Sequence, residues 1–224
     1  MKNLILLAVQ GAGKGTLAKL LSEKYGYIHI STGDILRERA AMGDELGNQI
    51  KELIDKGHFV PNQIIFEAIE HKITQKECEN GYILDGFPRN IEQAYGYDKL
   101  LEKLGKDIGV VINLTLPIEL LTKRIIGRRI CKDCGSIYNI YNESLSPKKE
   151  GICNLCNGEL YQRADDNEES MKVRIDNYFI VTEPIINYYK EKNILYEIDS
   201  TNTDRALTDI ESILKSLGDS VDKN

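Results

Sequence analysis

Residues 4–16 decide the fold, and they read Leu4-Ile5-Leu6-Leu7-Ala8-Val9-Gln10-Gly11-Ala12-Gly13-Lys14-Gly15-Thr16. An apolar run that ends in a glycine-rich turn and opens a helix is typical of a phosphate-binding loop. The glycines let the backbone wrap closely around an anion, and the first N–H groups of the helix point at that anion. Lys14 supplies a cation for the outer phosphates. The stretch therefore predicts a site for a nucleoside triphosphate.

Ala8 stands where the usual pattern G-x-x-x-x-G-K has its first glycine. Alanine suits that position if the strand extends by one residue or the backbone keeps a negative φ. A glycine-rich turn that binds nothing is the weaker interpretation, because Lys14 and Thr16 follow the glycines in the required places.

Short apolar runs alternate with helical patterns along the chain. The runs that predict strands are Leu4–Ala8, Tyr27–Ile30, Tyr82–Asp85, Val110–Leu116 and Leu195–Ile198. This alternation is typical of an α/β fold, in which a parallel sheet carries helices on both faces and binds ligands beyond the carboxyl ends of its strands. Two segments break the alternation. Residues 31–72 are helical in pattern and predict a helical insertion, while residues 130–161 predict a small β-rich lobe.

The chain has 224 residues and a formal net charge of −6, from 29 basic and 35 acidic residues. Sequence-independent binding to nucleic acid needs a surplus of lysine and arginine, so the charge argues against it. No apolar run approaches the roughly 20 residues that cross a bilayer. The first apolar run leads into the phosphate loop and does not resemble a signal peptide. We expect a cytoplasmic, monomeric enzyme without a nucleic-acid or membrane partner.

Four cysteines fall in two pairs, Cys131-Lys132-Asp133-Cys134 and Cys153-Asn154-Leu155-Cys156. The spacing between the pairs lies in the range of a four-cysteine metal site. Four thiolates leave no open coordination position, so we expect a structural ion, with zinc favoured over iron. Two disulfides or free thiols are the alternatives, and the absence of a secretory signal disfavours them. Cys78 lies apart from these pairs in the sequence, and we expect it to be an ordinary thiol.

Arginines and one aspartate surround the expected phosphate site. Asp85 ends an apolar run on the same side of the predicted sheet as the phosphate loop, where a carboxylate can hold Mg²⁺ through its water shell. The alternative role of Asp85 is to cap the turn that follows. Phosphoryl transfer needs cations over the migrating group, and guanidinium groups contact phosphate oxygens in pairs. A surface salt bridge is the alternative for any single arginine, but not for the set. The candidates are Arg89, Arg124, Arg128, Arg163 and Arg174.

Four further motifs follow the loop in order. They are Ser31-Thr32-Gly33-Asp34-Ile35-Leu36-Arg37, Asp85-Gly86-Phe87-Pro88-Arg89, Gly127-Arg128-Arg129 and Arg163-Ala164-Asp165-Asp166-Asn167-Glu168-Glu169. Together with the loop and the four cysteines, they resemble adenylate kinase in its long form with a zinc-binding lid. The resemblance spans residues 4 to about 199, and it implies the fold of P-loop nucleoside monophosphate kinases. It implies a core of residues 1–30, 73–129 and 162–224, an AMP-binding insertion of residues 31–72, and a zinc lid of residues 130–161.

The resemblance also implies the reaction ATP + AMP ⇌ 2 ADP, with Mg²⁺ bound to ATP, and it assigns the residues. The implied catalytic set is Lys14, Asp85, Arg89, Arg124, Arg128, Arg163 and Arg174. The implied ATP site is Gly11, Ala12, Gly13, Lys14, Gly15, Thr16, Arg124, Arg128 and Ser200. The implied AMP site is Thr32, Arg37, Val60, Gly86, Arg89, Gln93, Arg163 and Arg174, with Gln93 against the adenine edge. The implied zinc ligands are Cys131, Cys134, Cys153 and Cys156.

The chain departs from the family pattern at a few positions, which are Ala8, Gln10, Asn62, Asn90 and Ser200. The asparagine at position 90 resembles the pattern of the related UMP/CMP kinases. A kinase for another nucleoside monophosphate is therefore the first alternative. A nucleotide-binding regulator with impaired turnover is the second, and it rests on Ala8 and Gln10. A zinc-ribbon module for nucleic acid is a third, and the acidic charge disfavours it.

Overall fold

A computed structural model of the chain describes residues 2–9, 11–55, 60–162 and 166–218. In these ranges the strands are β1 (Leu4–Ala8), β2 (Ile28–Ser31), β3 (Tyr82–Asp85), β4 (Val110–Thr115), β5 (Arg128–Cys131), β6 (Ile137–Asn139), β7 (Leu160–Tyr161) and β8 (Leu195–Asp199). The α-helices are α1 (Lys14–Tyr25), α2 (Thr32–Ala41), α3 (Glu45–Asp55), α4 (Asn62–Ile73), α5 (Ile91–Leu104), α6 (Ile118–Ile126), α7 (Glu168–Val181), α8 (Glu183–Glu191) and α9 (Thr203–Ser216). Short 3₁₀ turns lie at Lys76–Cys78 and Glu143–Leu145.

The main sheet contains five strands in the order β2-β3-β1-β4-β8, and each neighbouring pair is parallel. The α/β fold with a five-stranded parallel sheet is therefore confirmed. After β1 the chain runs first to one side of the sheet and later to the other, so β1 lies at the point where the strand order reverses. Ligands of open α/β sheets bind at the carboxyl ends of the strands at such a point.

Two hydrophobic cores cover the two faces of this sheet, because successive side chains of a strand point to opposite faces. Along β1, Leu4 and Leu6 belong to one core, and Ile5 and Leu7 belong to the other. Buried residues of α1, α6 and α9 complete the first core. Buried residues of α2, α4, α5 and α8 complete the second. Strands buried on both faces explain the continuous apolar runs of the sequence.

A second, antiparallel sheet lies between α6 and α7 in the chain. It has the order β6-β5-β7, with Arg129 opposite Tyr138 and Cys131 opposite Leu160. Its own buried cluster is small and consists of Cys131, Tyr138, Cys153 and Leu160. The predicted β-rich lobe is therefore present, and its sheet begins two residues earlier than the predicted boundary at residue 130.

Helices α2, α3 and α4 follow one another without an intervening strand in the described residues between β2 and β3, as the sequence predicts. The sequence pattern predicts that the helix containing Leu46, Ile50 and Leu53 ends at Gly57, and that the tail of residues 219–224 frays. Gly57 and this tail lie outside the described residues. Of the helices that the structure describes, none combines the length and the apolar character needed to span a membrane.

Candidate functional site

The phosphate loop joins β1 to α1, and its two glycines adopt a conformation that other residues avoid. Gly11 has φ +92° and Gly13 has φ +96°. A Cβ at Gly11 would lie 2.6 Å from Ile125 Cγ1, so a larger residue there would also displace α6. The helix begins at Lys14 without a side-chain cap on Gly13. Free N–H groups at a helix N-terminus bind anions, which is the chemistry that the sequence predicts here.

Lys14 points back over this loop. Its Nζ donates a hydrogen bond to the Ala8 carbonyl oxygen at 2.9 Å. Burial lowers the pKa of Lys14, the nearby carboxylate of Asp85 raises it, and the positive charge of Arg89 lowers it further. Three charged groups of the predicted set therefore act on one another across the ends of β1 and β3.

Ala8 fits the loop in one of the two ways that the sequence allows. It is the last residue of β1 and pairs with Leu114 of β4, so the strand extends up to it. Its carbonyl accepts the Lys14 hydrogen bond, which any residue type can provide. The substitution thus leaves the lysine anchor intact. Gln10 lies outside the described residues.

Asp85 ends β3 beside the loop. Its Oδ2 lies 3.4 Å from His29 Nε2, and a Cβ built at Gly15 would lie 3.9 Å from the same oxygen. Its backbone carbonyl accepts a hydrogen bond from Thr32 Oγ1 at 3.2 Å. The carboxylate is therefore next to the start of α1, where an ion bound to loop phosphates could reach it.

Arg89 and Thr32 lie on the other side of Asp85. Arg89 Nε donates to the Gly86 carbonyl at 2.8 Å, and Thr32 is 3 % exposed. Gly86 has φ +79°, and a Cβ on it would lie 3.3 Å from Arg89 Nη2 and 4.0 Å from Thr32 Oγ1. Glycine at this position leaves the arginine and the hydroxyl close together. Arg37 forms an ion pair with Asp34 on the exposed side of α2.

Gln93 lies at the first turn of α5 and is 2 % exposed. Its Oε1 accepts a hydrogen bond from the Arg89 N–H at 2.7 Å, and its Nε2 donates to Asn62 Oδ1 at 2.8 Å. Asn90 is the N-cap of α5, because its side chain accepts from the Gln93 N–H at 2.8 Å. Asn90 therefore has a structural role in this chain. Val60 is buried next to α4 and packs in the second core.

Arg124 lies near the end of α6, across the loop from Arg89. Its Nη2 donates to the carbonyl oxygens of Ser200 at 2.9 Å and Thr201 at 2.8 Å. A Cβ at Gly13 would lie 3.9 Å from Arg124 Nη1, so this guanidinium borders the loop. The Ser200 hydroxyl donates to the Thr115 carbonyl at 3.0 Å. The Ser200 carbonyl thus helps to orient Arg124, while the Ser200 hydroxyl bonds to the last carbonyl of β4.

Arg128 begins β5 at the base of the small sheet. Its Nε donates to Asp166 Oδ2 at 2.9 Å, and its Nη2 contacts Asp166 Oδ1. The Asp166 side chain is completely buried and that of Arg128 is 14 % exposed. Arg163 lies outside the described residues, and Arg174 lies in α7 with a side chain that the structure does not describe. The predicted closeness of these last two arginines to the loop therefore stays a prediction.

The four paired cysteines lie together at the tip of the small sheet. Their sulfur atoms are all within 4.8 Å of one another, with 3.4 Å from Cys131 to Cys156 and 3.6 Å from Cys134 to Cys153. Tetrahedral zinc with Zn–S bonds of about 2.3 Å separates its sulfur ligands by about 3.8 Å. The donor set therefore fits one structural zinc ion.

Neighbouring groups act in opposite directions on two thiols of this cluster. The Tyr138 hydroxyl, 3.3 Å from Cys153 Sγ, lowers the pKa of that thiol to about 6. The Gly158 N–H lowers the pKa of Cys156, but the other three cysteines and desolvation outweigh it and raise that pKa to about 12. Several thiolates at this distance repel one another, and a divalent cation removes that conflict.

The sequence predicts no site role for three residues that contact the predicted site residues. His29 contacts Asp85, Asp166 pairs with Arg128, and Asn62 holds Gln93. Asp166 follows Arg163 in one of the motifs, but nothing local indicates Arg128 as its partner. Only the packing of distant segments brings these pairs together.

Comparison with known proteins gives a consistent result. The family model described as adenylate kinase matches residues 6–194. An adenylate kinase of Archaeoglobus fulgidus is 47 % identical over 96 % of this chain and 99 % of the relative. An adenylate kinase of Caldicellulosiruptor bescii is 46 % identical over 96 % of this chain and 98 % of the relative. One from Clostridioides difficile is 44 % identical over 96 % and 98 % of the two chains.

Proposed function

The chain belongs to the adenylate kinase family, and we propose that it transfers a phosphoryl group reversibly between ATP and AMP to give two ADP with the residues described above. Adenylate kinases are phosphotransferases, so the chain is an enzyme. One geometric observation supports the residue assignment: Lys14 bonds to the Ala8 carbonyl at the end of β1, and the Asp85 carboxylate at the end of β3 lies next to Gly15 in the first turn of α1. Arg89, which bonds to the Gly86 carbonyl, lies in the loop that follows β3.

The ATP phosphates bind in the loop. The backbone N–H groups of Gly11 to Thr16 and the Lys14 ammonium hold them, and Arg124 borders the same loop at Gly13. The Ser200 carbonyl holds Arg124 in place. Arg128 joins the ATP site from the base of the small sheet, where Asp166 orients it.

The AMP site lies on the other side of Asp85, at the junction of α2, α4 and α5. Thr32 and Gly86 leave room next to Arg89, whose guanidinium donates to the Gly86 carbonyl through Nε. The N–H groups on its two Nη atoms can then bind a phosphate. Gln93 reads the adenine edge. The full proposed set is Thr32, Arg37, Val60, Gly86, Arg89, Gln93, Arg163 and Arg174.

Catalysis then consists of positioning and charge stabilisation, because phosphoryl transfer requires little covalent help from the protein. Arg89 holds the acceptor phosphate and Lys14 holds the donor phosphates, so the two reactants approach from opposite sides of Asp85. Asp85 would hold Mg²⁺ through its water shell, and the ion, which comes bound to ATP, would neutralise charge on the transferred group.

The three parts of the chain have separate tasks in this proposal. The core is residues 1–30, 73–129 and 162–224, the AMP-binding insertion is residues 31–72, and the zinc lid is residues 130–161. The lid closes over the phosphates and excludes water, which protects ATP from hydrolysis until the acceptor arrives. Zinc holds the lid together and stays outside the reacting centre. We further propose that the enzyme is a cytoplasmic monomer without nucleic-acid or membrane partners.

A transfer assay with Mg²⁺ and ATP against AMP, CMP, UMP, GMP and dAMP tests the function. We expect rapid ADP formation with AMP, whereas preferential transfer to CMP or UMP would identify the enzyme as a pyrimidine nucleotide kinase. No transfer to any acceptor, with measurable ATP binding, would identify a regulator.

The same assay with Lys14→Met tests the site. We expect kcat to fall by about 100- to 1000-fold, the usual effect of removing one transition-state donor. Lys19→Met is the matched control, since Lys19 is exposed on α1 and forms an ion pair with the likewise exposed Glu23 at 3.7 Å. Equal activity of both variants would contradict the assignment of Lys14.

A further inference from the structure

The side-chain amide of Gln93 is held at both ends. A backbone N–H can only donate, so the atom of Gln93 that faces the Arg89 N–H at 2.7 Å is the amide oxygen. The amide nitrogen then faces Asn62, which presents its Oδ1 at 2.8 Å. The two contacts together fix the orientation of the amide, with its oxygen towards Arg89 and its nitrogen towards Asn62.

Each end of the amide has one hydrogen-bonding position that these two contacts do not occupy. The Gln93 oxygen has a second lone pair, and the nitrogen has a second N–H. A purine with a 6-amino group, such as adenine, presents a donor next to a ring-nitrogen acceptor and can bond to both. A purine with a 6-keto group, such as hypoxanthine or guanine, presents the opposite order. The orientation that Arg89 and Asn62 impose on Gln93 therefore matches a 6-amino purine and opposes a 6-keto purine.

We propose that Asn62 is a positioning residue that sets the preference of the AMP site for 6-amino over 6-keto purines by fixing the amide of Gln93. The inference rests on the proposed function, in which Gln93 reads the base. Asn62 lies in the first turn of α4 and Gln93 in the first turn of α5, so the contact also joins the helical insertion to the core. Asn62 acts on the base only through Gln93.

Asparagine holds this orientation less firmly than aspartate would. If the Gln93 amide turns around, its N–H groups face the Arg89 N–H, and its oxygen faces residue 62. Asn62 can relieve the second conflict by turning its own amide and presenting an N–H. An aspartate has only acceptor oxygens and cannot. Asn62→Asp should therefore keep or sharpen the preference, whereas Asn62→Leu should weaken it.

The test compares binding of AMP and inosine monophosphate, which differ in the group at position 6 of the purine and in the proton on the neighbouring N1. For Asn62→Leu we expect Kd for AMP to rise about three- to tenfold and the ratio of the two Kd values to fall by a similar factor, as for loss of one neutral hydrogen bond. The kcat for AMP and the KM for ATP should stay within about twofold. Asn62→Asp should restore the affinity for AMP and give a Kd ratio at or above that of the wild type.

Gln63→Leu is the matched control, because Gln63 occupies the same turn of α4, is exposed, and bonds to Glu67 at 3.1 Å. It should leave both affinities unchanged, and a change equal to that of Asn62→Leu would overturn the inference. A constant Kd ratio in Asn62→Leu, alongside a large loss of AMP affinity in Gln93→Leu, would also overturn it while leaving the proposed AMP site intact. If Gln93→Leu binds AMP as the wild type does, the base-reading role in the proposed function is wrong, and the role of Asn62 falls with it.

Discussion

Removal of the metal from the small sheet should unfold that sheet and leave the parallel sheet folded. The buried cluster of the lobe consists of Cys131, Tyr138, Cys153 and Leu160, and two of these four are proposed zinc ligands. Tyr138 and Leu160 remain as its apolar contribution, and each contributes about 1.5–3 kcal/mol by burial. A structural zinc contributes about 10–16 kcal/mol in small zinc domains. The metal is therefore the larger stabilising term by several kcal/mol.

Hydrogen exchange followed by mass spectrometry measures this effect segment by segment. After chelation we expect amides of residues 128–161 to lose protection by at least about a hundredfold, which corresponds to about 2.7 kcal/mol. Amides of β1, β3 and β4 belong to the central sheet and should change by less than about threefold. Phosphoryl transfer should decline with the unfolding of the lid, and thermal stability should fall before chemistry is abolished.

Matched cysteine variants separate loss of the metal from loss of a thiol. Cys153→Ser removes a proposed ligand and should reproduce the effect of the chelator. Cys78→Ser is the control, because Cys78 is buried in the second core, away from the cluster. Unchanged protection of residues 128–161 in the chelated protein would refute the structural role, as would loss of turnover with no change in melting.

Two further substitutions test the fold and the base of the small sheet. Gly109→Ala should lower the free energy of unfolding by about 3–5 kcal/mol in urea denaturation, because Gly109 has φ +81° and the new Cβ would lie 2.0 Å from the Asn3 carbonyl oxygen. The control is Gly105→Ala, at φ +62° with open space around it, which should lower that free energy by only about 1–2 kcal/mol. Equal losses in the two variants would contradict the steric argument. Asp166→Asn should lower the free energy of unfolding by about 3–5 kcal/mol, since it leaves the guanidinium of Arg128 without its buried counter-charge. The double variant Asp166→Leu, Arg128→Met should recover most of that loss. An Asp166→Asn protein as stable as the wild type would show that the pair is not buried in solution.

The strands could be predicted closely because burial on both faces gives continuous apolar runs. The limits of β1 and β3 are as predicted. The predicted limits of β2 are wrong by one residue at each end, and those of β4 and β8 by one residue at the C-terminal end. At these ends pairing, and not apolarity, decides which residue belongs to the strand. Ser31 belongs to β2 because it pairs with Asp85, and Asp199 belongs to β8 because it pairs with Thr115. A polar residue at such a position carries no apolar signal, so the sequence pattern stops short of it.

The site could be predicted only where its chemistry is local in the sequence. The loop glycines, Lys14 and the cysteine pairs follow from short spacings, and the structure brings the four sulfurs together. The contact between His29 and Asp85 joins residues on different strands, and it depends on the register of β2 against β3. Such a register is set by the whole sheet and cannot be read from either segment alone.

Three cations of the proposed phosphate site are held by neutral carbonyl groups. Lys14 bonds to the Ala8 carbonyl, Arg89 to the Gly86 carbonyl, and Arg124 to the carbonyls at residues 200 and 201. A carbonyl orients a cation through its dipole but does not cancel the charge. In the proposed mechanism these three groups are therefore pre-positioned by neutral partners, as electrostatic stabilisation of a transferring phosphoryl group requires.

Arg128 and Arg37 are held differently, since each has a carboxylate partner, Asp166 and Asp34 respectively. A carboxylate cancels most of the charge, so either arginine must share or exchange its partner before it contributes fully to phosphate binding. For Arg37 the exchange costs little, because exposed ion pairs contribute at most about 1 kcal/mol. Asp166 is buried, so giving up its pair would leave a buried charge without a counter-charge. If Arg128 binds phosphate as proposed, it therefore keeps Asp166 and uses the edge of its guanidinium that the aspartate does not occupy. This arrangement would couple the base of the small sheet to the presence of nucleotide.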